Sequence, residues 1–423
     1  FLSFILMALA LLIQFLNVKE NLVKSFVADL SEKTHYSIKI ESVTINWLDR
    51  SHISQIQVFD LNQNLMVVLD DVEMDFDLSN LFRKGSISLE FILFDKMRVN
   101  LMKYEESDLL NFQSFLMALK SDDEVVRSNP FLHIGSMVFN DLQITMEDYS
   151  LNDPMLVSSP VNLSISHMKL VDIMASADSI GFHLDSLKAD SSIFLNTEIT
   201  DLKGNFGITL DQIDLREMYL KCGETEINSE INLSLTSGDW LEFKKDSLFV
   251  NIILSPSVID TKSFGQYEYI TNNRRISLQL EIKGYLDDLQ ISGLSGMVET
   301  GSMLKARGRI NGIVGVDSAL FTVEILDSYW VQEDLKSFFR GYNYGPLRFA
   351  GSIQGNKGET LISGEIINQL GNIDLDISLM NLLSSKEIQY HGKVDFDDFH
   401  LGKIINDSRV GRSVGRLIFE GSG

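Results

Sequence analysis

From residue 36 onward the chain alternates apolar and polar positions with period two, the signature of β-strands with one buried face. Tyr36, Ile38 and Ile40 open the pattern, and Val43, Ile45 and Trp47 resume it in the other phase, as across a turn or bulge. The same rhythm recurs at Val72 to Leu78, Ile87 to Leu93, Met97 to Leu101, Leu142 to Met146 and Ile180 to Leu184. It is cleanest in three later stretches: Ile276, Leu278, Leu280 and Ile282; Phe321, Val323 and Ile325; and Ile373, Leu375, Ile377 and Leu379. Strict alternation predicts half-buried antiparallel strands, not the continuous apolar runs of a parallel sheet. Read this way, residues 36–423 form about 25 strands of roughly five to eight residues each.

Helical periodicity interrupts the pattern in few places. Residues 19–35 carry Leu22, Val23, Phe26, Val27 and Leu30 on one face and predict an amphipathic helix. Residues 107–120 predict a second helix, apolar at Leu109, Leu110, Phe112, Phe115, Leu116 and Leu119, with Ser107 as its N-cap, plugging or capping the end of the sheet. Shorter inserts are expected near 257–269, 330–340 and 401–407. Residues 1–18 open with FLSFILMALALLIQFL, where Phe1, Phe4, Ile5, Leu6, Leu9, Leu11, Leu12, Ile13, Phe15 and Leu16 predict a transmembrane anchor truncated at its start. A secretory signal would end at a small-residue cleavage site, whereas this run passes through Asn17, Val18, Lys19 and Glu20 into further helix. A buried core helix is the remaining alternative.

No proline-, glycine- or serine-rich linker divides the chain, so the strands read as one continuous region. A meander of that length must curl, and what covers its apolar face decides what it does. Either the sheet closes on itself as a packed core, or it stays partly open as an apolar groove. The fold expected is mainly β: a long, curled antiparallel sheet with a groove lined by the residues of the three cleanest stretches. An exposed apolar strip of that size is an aggregation hazard unless occupied, and acyl chains are its natural occupants.

Composition narrows the chemistry. A net charge of −23 excludes nucleic acid as a partner, because phosphate binding needs a concentrated basic surface. The single Cys222 excludes an internal disulfide and a cysteine-based zinc site, and its context marks a structural thiol. GRINGIVG, with Gly308, Gly312 and Gly315, lacks the Lys-Ser/Thr of a phosphate-cradling loop and reads as turn and bulge chemistry. The seven histidines show no pair at helical spacing, and the acidic pairs Asp70-Asp71, Asp287-Asp288 and Asp397-Asp398 have no partner base, so no catalytic residue, metal site or cofactor is expected. These features predict a protein that is not an enzyme.

Two segments resemble a known family. Val27 to Asp60, VADLSEKTHYSIKIESVTINWLDRSHISQIQVFD, is similar to the N-terminal region of the TamB family of AsmA-like proteins. Its matching parts are Ile38 to Ile45, Trp47 to Asp49 and Ile53 to Asp60. Phe396 to Gly423 resembles a recurring segment of the Bacteroidota-type members. The resemblance implies a single-pass bacterial inner-membrane protein whose β groove crosses the periplasm and guides phospholipid toward the outer membrane. It also implies an alternative, an association with an outer-membrane barrel of the TamA/Omp85 type that assists outer-membrane protein translocation and assembly. A structural envelope tether with a dry, self-packed core is the third expectation.

Overall fold

A computed structural model describes residues 20–44, 50–76, 86–104, 109–119, 131–149, 161–176, 178–191, 198–236, 247–264, 274–312, 319–335, 345–356, 358–381, 388–400, 402–403, 407 and 409–422. Its backbone is mainly β and mostly antiparallel, and it divides into two compact units. The first comprises Phe1–Gly223 with Ser263–Glu268, and the second Glu224–Lys262 with Tyr269–Gly423. The anchor predicted over residues 1–18 lies outside the described residues. Among the described residues no helix is long and apolar enough to cross a membrane.

The first unit begins with α1 (Glu20–Thr34), followed by β1 (Ser37–Thr44), β2 (Ser51–Phe59), β3 (Leu65–Phe76) and β4 (Ser86–Lys103). After α2 (Asn111–Leu119) come β5 (Phe131–Asp148), β6 (Val161–Ala175), β7 (Ser179–Ser191), β8 (Ile199–Thr209) and β9 (Gln212–Cys222). Each strand pairs antiparallel with the next except β4 and β5, which are parallel. The expectation of a wholly antiparallel meander is therefore corrected at this one pair. Two parallel neighbours need a crossover connection, and α2 sits within it.

Several strands are much longer than the five to eight residues expected; β4 and β5 each span 18. The cause is a phase slip within single strands. Ladder pairing skips Glu41, Gln55, Asp70, Lys96, Asp141 and Ser166, and these six polar residues lie side by side across β1 to β6. Gln55, Lys96 and Asp141 have φ of 52°, 51° and 52°. At the same row the apolar spacing changes from two to three: Ile40 to Val43, Ile53 to Ile56, Leu69 to Val72, Phe94 to Met97, Phe139 to Leu142, and Ile165 to Met168. All twelve belong to or pack against one core cluster. A left-handed residue kinks a strand and would turn its second half inside out, and the slip by one position restores the apolar side chains to the same face. In sequence each kinked strand therefore reads as two short ones.

This crease gives the first unit a filled interior. Tyr36, Met66, Met74, Leu89, Ile92, Met97, Phe115, Ile134, Met137 and Phe139 are fully buried. The Phe94 and Phe139 rings stack at 4.7 Å, and Phe115 of α2 meets Tyr36 at 4.6 Å. The buried apolar residues of β4 are Leu89, Ile92, Phe94, Met97 and Val99. Leu89 keeps the expected phase, and a further slip at Glu90, which the ladder also skips, moves Phe91 and Leu93 off the buried face.

Helix α2 is seated by a polar network. Asn111 stands at its start, and its Oδ1 accepts the backbone N–H groups of Phe112 at 2.8 Å and Met102 at 3.0 Å. Ser107 lies outside the described residues. Asp60, buried at 1% exposure, accepts the backbone N–H groups of Asn62 and Asn64, the Asn111 amide at 3.2 Å and the Tyr104 hydroxyl. A buried carboxylate is tolerable only when so surrounded by donors.

The second unit contains β10 (Thr225–Leu235), β11 (Leu248–Asp260), β12 (Arg275–Tyr285), β13 (Asp288–Val298), β14 (Met303–Asn311) and β15 (Leu320–Trp330). It continues with a one-turn helix α3 (Gln332–Leu335), then β16 (Leu347–Gly355), β17 (Glu359–Asn368), β18 (Gly371–Met380), β19 (Gln389–His400) and β20 (Arg412–Ser422). A 3₁₀ turn covers Thr261–Phe264. Every strand pairs antiparallel with the next. No aligned crease crosses these strands. The pairings of β16 with β17, and of β17 with β18, run without interruption. No described non-glycine residue within β10 to β18 has a positive φ. Among the described residues β1 does not pair with β9, nor β10 with β20, so neither unit closes as a barrel.

Two outcomes follow. Asp141→Val forces a β-branched residue into the left-handed region and should lower stability by about 1–2 kcal/mol, whereas Asp141→Gly should be near neutral, as read by urea unfolding. Burial and the hydrogen bond to Asp60 raise the Tyr104 pKa, so the folded state favours the protonated phenol. That contribution is complete below the ordinary tyrosine range near pH 10 and is lost as pH rises through the higher folded value. Unfolding midpoints should therefore fall at alkaline pH, and Tyr104→Phe should flatten part of that fall.

Candidate functional site

Partners opposite one another on neighbouring strands share a face, so the pairing register of the second unit can be followed as transverse rows. One row runs through all eleven strands: Ile231, Ile252, Ile282, Ile291, Gly308, Val323, Ile353, Ile362, Ile377, Gly392 and Phe419. A second row on the same face includes Leu233, Val250, Leu289, Ile310, Phe321, Leu379 and Tyr390. A third includes Leu254, Leu280, Leu294, Ala306, Ile325, Leu375 and Val394. None of the three rows contains Asp, Glu, Lys or Arg. At two residues per row along each strand, the rows lie about 7 Å apart, and eleven strands extend them for roughly 50 Å.

The eleven residues expected to line the groove fall on this face. Ile282, Val323 and Ile377 share the first row, Phe321 and Leu379 the second, and Leu280, Ile325 and Leu375 the third; Ile276, Leu278 and Ile373 extend the face further. All eleven are half-buried, while Gln279, Glu281, Glu324, Asp374 and Asp376 between them are exposed. The face is thus an apolar surface that the described part of the unit does not fill.

Glycines and aromatic rings shape it locally. A Cβ at Gly392 would sit 2.7 Å from the Phe419 ring, and one at Gly415 2.8 Å from the Phe396 ring. Phe349 lies in the same way over Gly351 and Gly364. The rings occupy the space over positions without side chains, which keeps the face continuous. Gly308 of GRINGIVG is tight for a different reason, since its Cβ would meet the Thr322 carbonyl of the next strand at 2.5 Å; Gly312 takes the turn, with φ of 73°.

The charged residues beside the three rows lie on the opposite face. Arg307 pairs with Glu324 at 2.7 Å, Arg416 with Asp395 at 2.6 Å, and Arg309 with both carboxylate oxygens of Asp288. Hydrogen bonds from these arginines hold the Asp288 and Asp395 carboxyls below their ordinary range. Being exposed, such pairs add little stability, but they give the outer surface its solvation.

The anchor residues Phe1, Phe4, Ile5, Leu6, Leu9, Leu11, Leu12, Ile13, Phe15 and Leu16 lie outside the described residues. Cys222 is buried. Of the histidines, His52 alone joins a group of metal-ligating side chains among the described residues, with Asp71 and Glu73. A search for helical spacing could not find it, because the three residues meet across a β-hairpin.

No protein-family model matches the chain, and neither a curated protein nor a solved structure matches it.

The contrast between the units sets a measurable difference. Phe139→Ala, at a fully buried site, should cost about 3–5 kcal/mol, whereas Leu280→Ala, on the half-buried face, should cost well under that. Denaturant unfolding of the full chain with a probe in each unit reads both.

Proposed function

We propose that the second unit carries acyl chains of phospholipid along its apolar face, and that the protein is a membrane-anchored conduit guiding lipid between the layers of a bacterial envelope. The observation that carries this reading is the set of three transverse rows, uncharged across eleven strands and mostly half-buried. Such a face runs perpendicular to the strands, so a lipid can pass from strand to strand without meeting a charged side chain. Each methylene moved from water onto an apolar surface gains up to about 0.8 kcal/mol, which suffices to hold an acyl chain while leaving sliding unopposed by any single strong contact. The charged headgroup stays in water at the rim. The resemblance of Val27 to Asp60 and Phe396 to Gly423 to the TamB family supports the same reading, with the inner membrane as the site of anchoring and a barrel of the TamA/Omp85 type as a partner.

The tether reading draws on the first unit, whose interior is filled by its own apolar side chains. There the two halves of each creased strand already bury their apolar residues against one another and against α2. We infer that this unit is a rigid mount and that lipid is carried by the second.

The test is a photo-crosslinking residue placed at Leu280, Gln279 or Phe139 in the full chain, expressed in a Gram-negative host, with adducts identified by mass spectrometry. Phospholipid adducts at Leu280 and none at Gln279 or Phe139 are expected. Leu375→Arg, which places a charge on the third row, should strongly reduce adducts at Leu280. Adducts at neither Leu280 nor Phe139 would return the whole chain to a tether.

A further inference from the structure

We propose that His52, Asp71 and Glu73 form a divalent metal site of the zinc class on the outer face of the first unit. His52 of β2 stands directly opposite Glu73 of β3 in the antiparallel register, and Asp71 is the next residue of β3 on the same face. One ligand atom from each of the three lies within 4.8 Å of the other two, and His52 Nδ1 is 4.0 Å from Asp71 Oδ2. Zinc bonds to nitrogen and oxygen of about 2.0–2.2 Å place neighbouring ligand atoms some 3.3 Å apart, so modest side-chain rotation closes the set around one ion. One imidazole and two carboxylates make a donor set suited to zinc or manganese, with a position left for water.

Two neighbours already orient the ligands, as outer partners do around metal sites. The Ser54 hydroxyl donates to Asp71 Oδ1 at 3.2 Å. Arg50 donates to Glu73 Oε2 at 2.9 Å while its guanidinium lies 5.1 Å from the centre of the Phe91 ring. A carboxylate has a second oxygen, so each of these bonds leaves an oxygen free to ligate. The three ligands are half-buried, on the side of the strands away from the core, where their replacement leaves the core cluster untouched. Their position also gives the ion a mechanical effect. His52, Asp71 and Glu73 all lie on one side of the crease row at Gln55 and Asp70, within three residues of it, so a bound ion clips β2 to β3 beside the kink.

Isothermal titration of the chelator-treated full chain with Zn²⁺ tests this, together with thermal unfolding in its presence. A single site is expected, with affinity reduced at least tenfold in His52→Ala and in Glu73→Gln, and unchanged in His167→Ala on a neighbouring part of the same face. Zinc should raise the unfolding temperature of the wild-type protein and not that of His52→Ala. Absence of a stoichiometric site, or a site that persists in His52→Ala, would overturn the assignment. Because an acidic chain collects cations loosely elsewhere, the variant comparison decides the outcome, not binding alone.

Discussion

The architecture depends on one constraint: side chains of a β-strand alternate faces with period two, so any kink that inverts the strand must be matched by a one-residue slip in the apolar pattern. In the first unit six neighbouring strands make that slip at a common row, from Glu41 to Ser166. Apolar residues on both sides of the row then face one interior, and the interior is filled. In the second unit the strands keep their phase through β12 and through β16 to β18, so the apolar face stays a face. One repeated sequence texture therefore yields two different surfaces.

The energetic consequences differ accordingly. Residues such as Phe139 and Met137 are completely enclosed, and the transfer of their surface from water is fully realised in the folded chain. Ile282, Val323 and Ile377 realise only part of that transfer, and the remainder is available to a ligand. Rings packed over Gly392, Gly415, Gly351 and Gly364 fill the gaps these glycines leave without closing the surface. Ion pairs on the reverse side leave no charged side chain in the three rows. Together these features are what the proposed division of roles rests on, with the second unit as a surface for long apolar molecules and the first as a support.

Much of this was legible in the sequence. Alternation at Ile276 to Ile282, Phe321 to Ile325 and Ile373 to Leu379 placed all eleven residues on one face, because nothing within those stretches disturbs the period; the bulge of β15 comes only after Ile325. The phase change after Ile40 was also visible, and it marks the crease in β1. What the sequence did not show was that six such changes line up, since alignment is a property of register between strands. The slip at Lys96 made β4 read as two short strands, and a separate slip at Glu90 put Ile92, not Phe91 or Leu93, on the buried face. The parallel pairing of β4 with β5 depends on the crossover that holds α2, which local periodicity does not encode. The meeting of His52 with Asp71 and Glu73 is likewise a register effect, invisible at a separation of about twenty residues.

The central claim is that the second unit presents an open apolar face where the first has none. Single cysteines at Leu375 and at Met137, each in a Cys222→Ala background of the full chain, would be exposed to a small maleimide under native conditions. The account predicts prompt labelling at position 375 and labelling at 137 only at the rate set by unfolding. Equal, unfolding-limited protection at both positions would contradict it, since the face would then be buried and the conduit closed.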